Sequence, residues 1–146
     1  MAWTDEYCVG LPRIDQQHRI LLDCISLIQD AVSKRTTTSA IQPVLGQLEN
    51  FARLHFAYEE SSMRNYRYPG SEQHAEEHLQ FMAELKDLQE ASHLADTADQ
   101  LVILIENRLL EHIMRSDRQF ASWLGVADER AEGIRVLDAD RVKCER

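Results

Sequence analysis

The chain has 146 residues, 44% hydrophobic and 28% charged, which fits one soluble globular domain with its own core. Twenty-five acidic against 16 basic residues leave a formal net charge of −9, which argues against nucleic acid or an anionic membrane surface as partner. No apolar run reaches the roughly 18–20 residues of a spanning helix, and MAWTDEYCVG at the start lacks the regions of a signal peptide, so a cytoplasmic protein without membrane insertion is expected.

Hydrophobic periodicity is helical almost throughout, and only five glycines and three prolines interrupt it. After an N-terminal arm with Gly10 and Pro12, Asp15 reads as the N-cap of a first helix whose stripe is Leu21, Leu22, Ile25, Ile28 and Val32. KRTTTS is a linker. A second helix follows from about Ser39 to Tyr66, with Pro43 in its first turn. Pro69 and Gly70 make the next turn, and Ser71 caps a third helix to about Glu90. TADQ, from Thr97 to Gln100, reads as a capping box for a fourth helix that ends near Trp123, with Gly125 as its stop. The expected fold is all-α: an antiparallel up-and-down four-helix bundle over residues 1–124, with a short C-terminal extension over 125–146. The three cysteines, Cys8, Cys24 and Cys144, are too few and scattered for a disulfide framework and read as free thiols.

In such a bundle the starts of helices one and three share an end with the finishes of helices two and four. His18, His55, Glu59, His74, His78, His112 and Asp117 therefore gather at that end, each on or beside an apolar stripe. His93 falls at the other end, about 22 Å from His78 at 1.5 Å per residue. One histidine on an apolar stripe is usually a hydrogen-bonded core residue. Five histidines and two carboxylates converging from four helices would be costly to bury unpartnered, and a transition-metal centre is the simplest partner that satisfies them all.

The spacing from His112 to Asp117 is five, which on a regular helix sets the two roughly 140° apart. The stripe Val102, Ile105, Leu109, His112 and the stripe Asp117, Phe120, Ala121, Leu124 are out of phase by about one residue, or roughly 100°. A single π-type turn between His112 and Asp117 would absorb that residue and put both on one face.

IDQQH ending at His18, HFAYEE with His55 and Glu59, HAEEH with His74 and His78, and HIMRSD with His112 and Asp117 resemble the hemerythrins, in particular their single-domain bacterial form. Trp3 followed by VGLPRID is also similar, and the resemblance spans about residues 3–124. It implies two iron ions in an oxo- or hydroxo-bridged di-iron centre. His74, His78 and His112 would hold one iron, His18 and His55 the other, with Glu59 and Asp117 bridging. On that analogy the iron with two histidines keeps an open position for dioxygen, and the protein is an oxygen carrier, buffer or store, not an enzyme. Where many relatives have a tryptophan four residues before the last histidine ligand, this chain has Arg108, expected to swing outward because a buried arginine needs a partner. Two alternatives use a similar site: a sensor of O₂, NO or redox state acting through a partner protein, and a di-iron oxidase or peroxidase. Ferritin-like enzymes use Glu-rich sets with two Glu-x-x-His pairs, and the one such pair here, Glu90 to His93, is at the far end. A monomer is expected.

Overall fold

The computed structural model describes residues 3–34, 38–90 and 98–130. A short 3₁₀ turn, Asp5–Tyr7, precedes α1 (Pro12–Ser33), α2 (Thr38–Asn65), α3 (Ser71–Gln89) and a fourth continuous helix, α4, over residues 98–130. No strand occurs among the described residues. Consecutive helices pack side by side, and α4 closes the ring against both α3 and α1. The expected all-α bundle is the one observed.

The helix ends differ in detail from the sequence reading. The first helix starts at Pro12, one turn earlier than expected, because a proline at the first position gives up no helical hydrogen bond. Asp15 is therefore inside α1 and not its cap. Its carboxylate accepts the backbone N–H groups of Val9 (2.8 Å) and Gly10 (3.1 Å), tying the arm to the helix where Gly10 turns at φ +90°. Pro43 lies in the second turn of α2, since the helix begins at Thr38, and forgoes one internal bond there.

Arg67 ends α2 in the left-handed region (φ 55°), with Tyr68 N–H bonded back to Met63 O at 2.9 Å. Gly70, rather than Ser71, caps α3, and a Cβ on Gly70 would meet the Tyr68 ring at 3.0 Å. The fourth helix runs through Gly125 to Arg130, because one interior glycine costs only about 1 kcal/mol and no proline follows to break the helix. The expected Thr97 cap, the middle of the KRTTTS linker and His93 lie outside the described residues. Cys24 is free and buried as expected, but Cys8 is disulfide-bonded, so that part of the thiol reading fails.

Two apolar clusters fill the interior. The larger includes Leu21, Leu22, Ile25, Leu45, Leu48, Leu85, Leu101 and Ile105, and the smaller includes Leu11, Ile14, Met63, Phe120 and Leu124. Along α1, α2 and α4 the polar residues of interest come between the two.

Candidate metal centre

His18, His55, Glu59, His74, His78, His112 and Asp117 are all buried, and all seven meet at one point inside the bundle. Their side chains form two overlapping groups. One is Glu59, His74, His78, His112 and Asp117, and the other is His18, His55, Glu59 and Asp117; in each, the donor atoms lie within 4.8 Å of one another. Both groups contain both carboxylates.

Each carboxylate divides its oxygens between the groups. Asp117 Oδ1 lies 3.0 Å from His74 Nε2 and 2.9 Å from His112 Nε2, while Oδ2 lies 2.8 Å from His18 Nε2 and 3.6 Å from His55 Nε2. Glu59 Oε1 contacts His74 Nε2 and lies 3.2 Å from His78 Nε2, whereas Oε2 is 3.5 Å from His55 Nε2. All five histidines turn Nε2 inward. Two pairs of these nitrogens confront each other, His18 with His55 at 3.2 Å and His78 with His112 at 2.9 Å.

The spacing of His112 and Asp117 is explained by the backbone. Within α4, Ile113–Asp117 is a π-helical segment, as the phase slip requires. A second π segment, Ile105–Leu110, precedes it, outside the interval that the phase slip marks. Leu101, Ile105, Leu109, Ile113 and Asp117 are all fully buried at strict four-residue spacing. On a regular α-helix four such steps drift by about 160°, and each inserted residue takes back about 100°, so two insertions leave about 40° where one would leave about 60°. Two π turns keep the ladder on one face.

Electrostatics of the metal-free cluster follow from its geometry. Burial opposes charge on His112, but Asp117 and Glu59 outweigh it and raise the imidazole to about 11. Burial likewise opposes charge on His74, and the same two carboxylates raise it to about 9. Burial and the neighbouring Asp117 push Glu59 up, yet His55, His112 and His74 bring it down to about 2. Asp117, against the same burial, is held well below the ordinary carboxylate range by His112 and the other histidines.

Protons alone do not satisfy the set. Glu59 Oε2 and Asp117 Oδ1 are buried without a hydrogen bond, although histidine nitrogens stand near both. Buried acceptors left in this way are costly unless something else fills the gap. Imidazole nitrogens and carboxylate oxygens aimed at common points are what a transition-metal ion takes, and the donor set fits one.

Around the cluster runs a second set of contacts that sequence reasoning missed. Gln17 Oε1 accepts from His55 Nδ1 at 2.7 Å, Glu60 Oε1 from His78 Nδ1 at 2.9 Å, and Glu77 Oε2 from His112 Nδ1 at 2.7 Å. Each acceptor is the sequence neighbour of an inward-facing residue on its own helix and serves the histidine of the next helix. That adjacency was the available signal: Gln17 beside His18, Glu60 beside Glu59, Glu77 beside His78. Phe56 stacks on the His78 ring at 3.9 Å. Arg108 swings outward as expected, half exposed and 3.4 Å from Glu84. It lines the mouth of a cavity of about 110 Å³ whose floor includes Phe56, His78, Leu109 and His112.

Fold and site together define a helical bundle that can bind metal through donors from all four helices. The model of the hemerythrin HHE cation-binding domain matches residues 9–124, and the chain belongs to the hemerythrin family. Among relatives, a bacteriohemerythrin of Pseudomonas paraeruginosa is 29% identical over 118 residues, covering 80% of this chain and 76% of the relative. A bacteriohemerythrin of Stenotrophomonas maltophilia is 25% identical over 122 residues, 83% of this chain and 79% of that one. A hemerythrin-like protein of Naegleria gruberi is 27% identical over 122 residues, 84% of this chain and 92% of the relative. No helix among the described residues is long and apolar enough to cross a membrane.

Proposed function

We propose that this protein binds dioxygen reversibly at a pair of iron ions and serves as a carrier, buffer or store rather than as an enzyme. His74, His78 and His112 would hold one ion and His18 and His55 the other, with Glu59 and Asp117 shared by both groups. The observation that carries the reading is the division of the two carboxylates, one oxygen of each toward each histidine group. Of protein donors alone, the three-histidine group offers five and the two-histidine group four, so a small ligand would find room on the two-histidine side. When bound, the iron pair supplies the electrons for reversible dioxygen binding.

The chain's own residues supply the rest. Phe56, stacked on His78 and beside the His55 and His112 rings, keeps apolar surface against the cluster, so an uncharged diatomic enters more readily than an ion. Gln17, Glu60 and Glu77 fix ring orientation by holding Nδ1 as the donor and leaving Nε2 toward the metal. We take the protein to be a cytoplasmic monomer, while the disulfide at Cys8 favours an oxidising compartment. Thiol titration of freshly released protein separates those locations.

The test of function is a visible absorption spectrum of anaerobic, ferrous protein before and after air, followed by removal of oxygen. A coloured adduct that forms and reverses, with two irons per chain, is expected. A ferrous form blind to air, or zinc alone after iron-replete expression, overturns it. Peroxide or NO turnover by the same preparation would mark an enzyme instead.

A further inference from the structure

Outside the cluster, the hydrogen-bond acceptors are unevenly placed. On the three-histidine side, His78 and His112 each donate Nδ1–H to a carboxylate, Glu60 and Glu77. On the two-histidine side, His55 donates to the neutral amide oxygen of Gln17, and His18 Nδ1 is buried with no partner at all. The acceptors pass round the bundle from α1 to α2, α2 to α3 and α3 to α4, and the series stops before it returns to α1. Where α4 could have served His18, Ser116 instead donates its hydroxyl to Glu77 at 2.6 Å.

Glu77 thus has two tasks through one oxygen. Its Oε2 accepts from His112 Nδ1, just before the π segment that delivers Asp117, and from Ser116 Oγ, within it. It holds that turn from outside, against α3. A carboxylate behind an imidazole also makes the ring a stronger donor, and such outer partners change metal affinity by about 10–100-fold.

We infer that Glu77, with Glu60, is a positioning residue that makes the three-histidine half the tighter of two unequal metal positions, so that metal loads there first and the His18–His55 half second. The inference rests on the proposed metal pair and adds the order of filling and the residues that set it. His18 is held by its inward contacts alone, with its Nδ1 buried and unpartnered.

Cobalt(II) titrated into the metal-free full chain under anaerobic conditions tests this, because each bound imidazole Nδ1–H gives its own hyperfine-shifted proton resonance. The first equivalent is expected to shift the three ring protons of His74, His78 and His112, and the second those of His18 and His55. Glu77→Gln, which keeps an acceptor but removes the charge, should weaken the first step about tenfold and move the His112 resonance. Glu77→Ala should weaken it about a hundredfold, and Ser116→Ala by less than Glu77→Gln. Gln17→Ala should weaken the second step alone. Circular dichroism of each metal-free variant, compared with wild type, separates loss of fold from loss of affinity.

Equal affinities for both equivalents, two shifted resonances before three, or a Glu77→Gln variant weakened equally in both steps would each overturn the inference while leaving the metal pair intact. A chain that takes up fewer than two cobalt ions overturns the proposed function as well.

Discussion

Leu45, Leu48 and Ala52 of α2 are fully buried, and so are His55 and Glu59 further along the same face. The first three meet apolar side chains from every neighbouring helix and follow ordinary helical spacing. The last two meet other polar groups, some without a hydrogen bond, in the layer where α4 departs from α-helical geometry. Complete apolar packing belongs to the region that holds the bundle together. Unsatisfied carboxylate and imidazole atoms belong to the region that the bundle holds, and the irregular backbone of α4 runs from one into the other, from Ile105 to Asp117. A protein selected for stability alone would fill that layer with hydrocarbon, since replacing buried charge clusters by apolar groups is often neutral or stabilising.

The largest effect that separates the two regions should come from Glu59. It belongs to both donor groups, so Glu59→Ala is expected to abolish metal binding, from two equivalents to none by elemental analysis, with the metal-free helical content retained. His74→Ala removes a donor from one group only and should leave the two-histidine position measurable. Retention of both metals by Glu59→Ala would show that the carboxylate is a neighbour and not a bridge.

In the apolar region the outcome should invert. Leu45→Ala leaves a cavity in a fully buried site and is expected to lower stability by about 2–5 kcal/mol while the purified folded protein still binds its full complement of metal. Denaturant unfolding and metal analysis of one preparation check both halves of the statement. A fall in metal content without a fall in stability would mean that the core and the polar layer are one cooperative unit.

Titration distinguishes the two regions more gently. In the metal-free protein His74 and His112 are raised to about 9 and about 11, above an unfolded value near 6.5. Their contribution is fully present below pH ~6.5 and is lost as pH rises through those folded values. Glu59 is lowered to about 2 from about 4.5, so its contribution is present above that unfolded value and lost as pH falls towards 2. Metal-free stability should therefore peak between about pH 4.5 and 6.5 and decline on both sides. Metal ligation needs neutral imidazoles, so uptake releases protons and the apparent affinity rises from pH 6 to pH 9. Calorimetry in two buffers of different ionisation enthalpy measures the protons released. No release at pH 6 would contradict the protonated state assigned to His74 and His112.

What was legible in the sequence follows the same division. The apolar stripes set the four helices, and the seven converging polar residues could be read because three- and four-residue spacing fixes which side chains share a face. Even the five-residue step from His112 to Asp117 announced itself as a phase slip. The earlier π segment did not, because Val102, Ile105 and Leu109 also fit an ordinary α-helical stripe; only full burial of Leu101 shows that the strict four-residue ladder is the real one. Helix ends were less legible. Asp15 has the chemistry of an N-cap but uses it on the arm, and Arg67 adopts a left-handed conformation that nothing in its side chain foretells. Gln17, Glu60 and Glu77 escaped because contacts between neighbouring helices depend on rotation about each axis, which periodicity fixes too coarsely.

The smallest expected effect concerns Arg108, on the border between the regions. It sits in the first π segment and lines the cavity that reaches His78 and His112, so its position alone would allow a role at the metals. Its contacts argue otherwise. The guanidinium is half exposed, 3.4 Å from a partly exposed Glu84, and a pair of that kind is worth roughly 0–1 kcal/mol, further reduced by salt. Arg108→Ala should therefore change stability by less than about 1 kcal/mol and leave both metal affinities within about twofold, and Glu84→Ala should do the same. Removing both should add little to either single change. A tenfold loss of metal in Arg108→Ala, without a matching loss in Glu84→Ala, would mean that the arginine turns inward when metal is bound and that the cavity mouth belongs to the centre. Equal small effects in all three variants would confine the centre to the buried layer, with the Arg108–Glu84 pair lying outside it.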